Sequence, residues 1–118
     1  AWNLINASSR GLLPFARLVG DDRVQVAHRS GRLLVRPAEA LAGLIEIYGL
    51  GIRTLTFEAV AVVGWIVDLS AADATRHPDG KVAATAVAEV ALPRIAVAAG
   101  MDPLPVVLAA LRTSPAGD

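Results

Sequence analysis

"LIEIYGLGI", residues 44–52, decides how this chain is to be read. Leu44, Ile45 and Ile47 surround a single carboxylate, Glu46, and the glycines Gly49 and Gly51 then interrupt the apolar pattern. A charge among apolar residues is costly to bury unpaired. On an alternating strand Ile45 and Ile47 share one face and Glu46 takes the other, so exposure to solvent removes that cost without any function. The glycines are less bland, because two so close together let the backbone turn sharply or let a ligand approach it.

The second unusual stretch lies upstream. In "RLVGDDRV", residues 17–24, a short apolar run ends at Gly20 and two aspartates, Asp21 and Asp22, follow at once. Adjacent carboxylates repel, and they make sense where solvent, a metal or a proton-transfer task stabilises them. An aspartate after an apolar strand is the Walker B arrangement of nucleotide-binding folds, with the carboxylate at the sheet edge where phosphates and Mg²⁺ sit. A hard cation takes oxygen ligands, and a second acid can then accept a proton. Gly-Asp-Asp between strands is also ordinary turn chemistry, and taken alone the three residues favour the turn.

Around these stretches the pattern is mostly strand. "FARLV" (15–19) reads as a short buried strand. "RVQVAH" (23–28) alternates, with Val24 and Val26 on one face; "RSGR" turns the chain and "LLVR" returns it, a hairpin with Gly31 available for positive φ. "PAEALAG" (37–43) predicts a short helical turn, and the apolar run "AVAVVGWIVDL" (59–69) a strand covered on both faces. "SAADATRHPDGK" (70–81) is a long surface loop, and "AEVALPRIAVAA" (88–99) a strand pair or bent strand that Pro93 limits to an edge or bend. "AWNLIN" (1–6) reads as the tail of a helix and "ASSRGLLP" (7–14) as a loop. "DPLPVVLAALRT" (102–113) is a terminal helix, capped by Asp102, with Val106, Val107, Leu108 and Leu111 on its apolar face. The sum is one α/β domain over residues 1–118, with a mixed, strand-rich centre and one helix near each end.

Composition narrows the function classes. The 118 residues suffice for one modest domain, and 54% hydrophobic against 19% charged residues describes a globular chain. Eleven basic and eleven acidic residues cancel, so no overall field favours nucleic acid or an anionic membrane. The absence of cysteine excludes disulfides and thiolate metal sites and fits a cytoplasmic protein. The apolar runs are too short to span a bilayer, and no signal segment opens the chain. His28 and His77 lack metal-ligand spacing. The only Gly-Lys, Gly80–Lys81, is followed by Val82 and fails the phosphate-loop pattern G-x-x-x-x-G-K-[ST]. Arg76, in the long loop, can clamp transferring charge beside a phosphate site or can simply be solvated.

Taken in order, "RLVGDDRV", the hairpin, "LAGLIEIYGLGI", an apolar strand ending "VDL", "TRHPD" and "VALPRIAV" resemble the catalytic domain of HPr kinase/phosphorylase. The likeness is to its short bacterial form, over residues 1–112. "EIYGLGI" follows the family signature E-[IV]-R-G-[LI]-G-[IV] except at Tyr48, where the signature has arginine. The resemblance implies a P-loop kinase-like fold, ATP and Mg²⁺ as cofactors, and phosphoryl transfer from ATP to a serine hydroxyl of the phosphocarrier protein HPr or a relative. In reverse, inorganic phosphate removes that group and pyrophosphate forms. It also implies roles for individual residues. Asp21 and Asp22 supply the proton acceptor and a group near Mg²⁺, Asp22 and Glu46 ligate the metal, and Arg76 assists transfer. The stretch Ala98–Pro103 serves the reverse reaction. The phosphate loop and a catalytic histidine are expected upstream of Ala1, leading into "AWNLIN", so nucleotide-phosphate contacts are expected from none of these 118 residues. The family forms hexamers, and an excess of apolar strand over what a small core can bury points the same way, to a homo-oligomer. Tyr48 removes a fixed cation, which leaves a non-catalytic relative that binds nucleotide or a protein partner as the alternative. An adaptor whose Asp-Asp and Gly-Leu-Gly motifs are only turns is a third.

Overall fold

The computed structural model describes residues 2–116. Its elements are α1 (Trp2–Ser9), β1 (Val24–Arg29), β2 (Arg32–Pro37), a 3-10 turn (Glu39–Leu41), β3 (Leu44–Ile47), β4 (Gly51–Thr54), β5 (Ala61–Val62), β6 (Ile66–Leu69), β7 (Ala84–Val87), β8 (Val90–Val97) and α2 (Leu104–Arg112). The architecture is mixed α/β with a strand-rich centre and a helix near each end, as the sequence pattern predicts. The chain falls into two compact units. The first comprises the residues up to Val63 together with Val87–Val90, and the second Gly64–Ala86 together with the residues from Ala91 onward.

In the first unit α1 runs on through Ala7, Ser8 and Ser9, which composition assigns to a loop. Its end shows why: Leu12 N–H donates to the Ala7 carbonyl (2.9 Å) and Gly11 N–H to that of Ser8 (3.0 Å), the bond pair of a Schellman cap. Ser9 Oγ donates to the Asn6 carbonyl at 2.8 Å, so a residue that competes with helix in isolation is satisfied in the last turn. The β1–β2 hairpin forms in the expected place, with Val24 opposite Pro37 and Arg29 opposite Arg32. Ser30 and Gly31 both have positive φ, the backbone of a type I′ turn. β5 adds to the other side of β2 through Leu34–Val62 and Val35–Ala61. β3 and β4 form a second hairpin, Leu44 opposite Thr54 and Ile47 opposite Gly51. Leu33 and Ile45, 1% and 2% exposed, are the most deeply buried large side chains.

Two expectations for residues 15–69 do not hold. "FARLV" is not a strand. It makes a single parallel bridge, Leu18 to Phe57, supported by Glu58 N–H donating to the Leu18 carbonyl at 2.8 Å. Only Leu18 of the five is buried, and Phe15 is exposed, stacking its ring under the Arg17 guanidinium at 5.3 Å. The run "AVAVVGWIVDL" is not one strand covered on both faces either. It breaks around Gly64 into β5 and β6, and Val60, Val62, Trp65, Val67 and Leu69 are all exposed.

The second unit is built on a sheet with strand order β6-β8-β7. β6 runs parallel to β8, Ile66 opposite Arg94 and Leu69 opposite Val97. Pro93 therefore sits in the central strand, not at the edge or bend that its missing N–H suggests. Arg94 N–H donates to Ala83 on the β7 side at 2.8 Å, so the N of Pro93 faces the β6 side, where the ladder begins only at Arg94. The position needs no donor. Residues 70–83 form the expected loop. The N-cap of α2 is Pro103, not Asp102 as expected; Asp102, one residue earlier, accepts the Leu104 N–H through Oδ1 at 3.0 Å. Of the four apolar residues assigned to the inner face of α2, Val107 is buried, whereas Val106 and Leu111 are exposed.

The chain exposes 8445 Å². Two separate compact bodies of these sizes, each showing its whole surface, would expose roughly 7,300 Å². Val24, Val26, Ile52, Val62, Val67 and Leu69 are exposed on their strands, so apolar strand surface is left uncovered among the described residues.

Candidate functional site

The first unit brings the two acidic motifs together. Gly20 eases the approach: a Cβ there would lie 2.6 Å from Val24 Cγ1, so any larger residue would make the Val24 side chain shift at the start of β1. The bend presents Asp21 and Asp22 in the loop before β1. Asp21 Oδ2 accepts the backbone N–H of Glu46 at 2.9 Å, linking residues 25 apart in sequence. Glu46 itself lies on β3 as alternation predicts, exposed while Ile45 beside it is buried. Gly49 and Gly51, both at positive φ, serve the β3–β4 turn, which Leu50 N–H closes onto the Ile47 carbonyl at 2.9 Å. The side chain of Tyr48 at this tip is fully exposed.

Asp21, Asp22 and Glu46 line one cavity of about 190 Å³, floored by Leu41, Leu44, Ile45 and Ile52. No cation lies within ion-pair distance of the three carboxylates among the described residues. Nor, among those residues, do three or more acidic or histidine side chains converge closely enough to hold a metal ion by themselves. The expected metal site of Asp22 and Glu46 is thus not a closed protein cage. Two neighbouring carboxylates with open space before them are what Mg²⁺ usually takes from a protein, since it keeps waters and fills its sphere with phosphate oxygens. Asp22 and Glu46 are of the right chemistry for it but form no metal site among the described residues.

Arg76 belongs to the second unit. It is exposed and lines a cavity of about 520 Å³ with Thr75, Met101, Asp102 and Val106. Ala98, from the stretch assigned to the reverse reaction, lies in the same wall. His28 and His77 are exposed.

The most connected polar group of this unit was not singled out by its sequence. Arg94, its side chain 12% exposed, donates through Nη2 to Asp68 Oδ2 (2.7 Å) and Asp73 Oδ1 (2.9 Å), and through Nη1 to Asp73 Oδ2 (2.9 Å) and the Val82 carbonyl (3.0 Å). The hydrogen bond from Arg94, opposed by some desolvation, holds the Asp73 carboxyl below the usual carboxylate range. Its bonds to Asp73 and Asp68 raise the guanidinium further above its ordinary value. The available signal was a lone arginine in the apolar run "PRIAV" and a lone aspartate in "IVDL", charges that need each other when their strands pair.

No family model matches the sequence, and no curated protein matches it at a significant level. The structure does find a likeness. It superposes on the HPr(Ser) kinase/phosphatase of Coxiella burnetii with a TM-score of 0.65 and 18% identity, covering 88% of this chain and 72% of that one. The two share a fold. At that identity the likeness speaks for the backbone arrangement and leaves activity to be argued from the residues.

Proposed function

We propose that residues 1–118 form a single HPr kinase/phosphorylase-like catalytic domain of P-loop kinase type. It transfers a phosphoryl group from ATP to a serine hydroxyl of HPr or a related phosphocarrier and catalyses phosphorolysis in reverse. The observation that carries this reading is the Asp21–Glu46 hydrogen bond, which joins the two motifs on which the resemblance rests. Asp21, oriented by that bond, keeps Oδ1 open to take the proton of the serine hydroxyl as its oxygen attacks phosphorus. Asp22 and Glu46 are the carboxylates that would hold Mg²⁺, which when bound neutralises charge on the transferred phosphate. By resemblance alone, Arg76 would assist the transfer. The phosphate-loop pattern is missing from the 118 residues, so no residue here is assigned to cradle the nucleotide's phosphates.

A second reading, a relative that binds nucleotide or partner without transfer, is favoured by Tyr48, which stands in the signature's arginine position and extends fully into solvent. The complete gene product, incubated with HPr and γ-labelled ATP, separates the two. Phosphoserine on HPr supports transfer, whereas nucleotide or HPr binding without phosphoserine supports the second reading. Neither binding nor transfer removes both and leaves an adaptor.

Uncovered apolar strand surface supports a homo-oligomer, and the resemblance alone carries the hexamer and the cytoplasmic setting. No helix among the described residues is long and apolar enough to cross a membrane. Light scattering should find an assembly, and a monomer across a wide concentration range would remove this part of the proposal.

A further inference from the structure

The loop between β6 and β7 has no regular structure, yet one side chain fastens it at both ends. Asp73 stands near its start and Val82 near its finish, and both are bonded to the same guanidinium, that of Arg94 on the central strand β8. Asp68 on β6 takes a further N–H of the fork and fixes its direction. Within the loop, Asp79 Oδ1 accepts the N–H groups of Lys81 and Val82 at 3.0 and 3.2 Å, and its carbonyl accepts that of Ala83 at 2.9 Å, so the second stem is shaped locally. The first stem has a single short-range bond, from Ala74 N–H to the Ala71 carbonyl at 3.4 Å. Arg76 follows three residues after Asp73, on this weaker side.

We infer that Arg94 is a positioning residue: by clasping Asp73 and the Val82 carbonyl it closes the segment 73–82 into a compact loop and so fixes where Arg76 is presented. A loop whose ends are held together is ordered by far fewer contacts than one spread over a surface. Only a planar fork can do this. Arginine offers five N–H donors in fixed directions and here engages two carboxylates and a carbonyl, whereas lysine, a compact point charge on a flexible stem, cannot hold all three in one plane. The consequence for phosphoryl transfer rests on the reading of Arg76 under Proposed function. The clasp itself does not.

The test compares the complete gene product with its Arg94→Lys and Asp73→Asn variants, well below their melting temperatures. Brief trypsin treatment with mass spectrometry follows cleavage after Arg76 and Lys81, two sites inside the loop. Both variants should be cut there faster than the wild type, with cuts elsewhere unchanged. In the transfer assay Arg94→Lys should lower kcat, by up to about 100-fold for a displacement of an ångström, with the KM for nucleotide unchanged. A purely structural role would instead lower active-enzyme concentration and melting temperature together. Unchanged cleavage in both variants overturns the clasp, and faster cleavage with unchanged kcat overturns the positioning of Arg76. If Arg94→Lys does not fold, Asp73→Asn, altering a half-exposed side chain, decides on cleavage. If the wild type transfers no phosphoryl group, the kinase reading falls while the cleavage result still judges the clasp.

Discussion

In the second unit Asp68 and Asp73 are both matched to one guanidinium, at 2.7 and 2.9 Å. In the first, Asp21, Asp22 and Glu46 share a cavity wall with no cation within ion-pair distance among the described residues. The matched pair explains itself, because two strands and a loop are tied by opposite charges. The unmatched trio does not. All three are exposed, so solvent screens their repulsion, and no ion pair among the described residues accounts for their sharing one wall, which makes it the place to test for ligand chemistry. The geometry of Asp21 sharpens the contrast: its one protein bond is to a backbone N–H, which orients the carboxylate without neutralising it.

The largest expected effect breaks or keeps this contrast directly. Asp21→Asn and Asp22→Asn in the complete gene product should each lower phosphoryl transfer, by about 100- to 10,000-fold where the proton acceptor is lost. Neither should lower the melting temperature, since acids beside open space contribute little packing. Raising Mg²⁺ should partly restore the Asp22 variant and not the Asp21 variant, whose amide cannot take a proton. Normal transfer with a lowered melting temperature would return Gly20-Asp21-Asp22 to being a turn.

Neighbours on β3 give the next effect. Ile45→Ala should cost about 2–5 kcal/mol of stability, because it empties a buried site, whereas Glu46→Gln on the opposite face should leave the denaturation midpoint nearly unchanged. Equal losses would mean that Glu46 is a structural residue.

The smallest effect concerns pH. Asp73 is held below the ordinary carboxylate range by Arg94. Such a group adds stability that is fully present above its unfolded value, near about pH 4, and is lost as pH falls through the depressed folded value. An NMR titration of the Asp73 carboxyl should therefore show its midpoint below that of a free aspartate, with the amides of the 73–82 loop shifting alongside it. A midpoint at the ordinary value would weaken the matched half of the comparison.

Much of the fold was legible. Val24 and Val26, with Ser30-Gly31 after them, specify a hairpin because alternation and a positive-φ turn are local properties. Glu46 between Ile45 and Ile47 was readable as an outward residue for the same reason, and Asp102 as the group that meets the first turn of α2. The run 59–69 misled because an apolar stretch records hydrophobicity and not what covers it, and the break around Gly64 depends on which strands each half joins. Pro93 misled because its cost depends on the side its missing N–H faces, which only the neighbouring ladder fixes.

What the sequence determined by itself is thus the β1–β2 hairpin, the outward place of Glu46 on its strand, and two acidic motifs with a recognisable order. Only tertiary structure decided that Asp21 reaches Glu46 and that Arg94 gathers Asp68, Asp73 and the Val82 carbonyl. Propensity and periodicity act over a few residues, whereas these contacts join positions 12 to 26 apart and exist only once strands have paired and loops have closed.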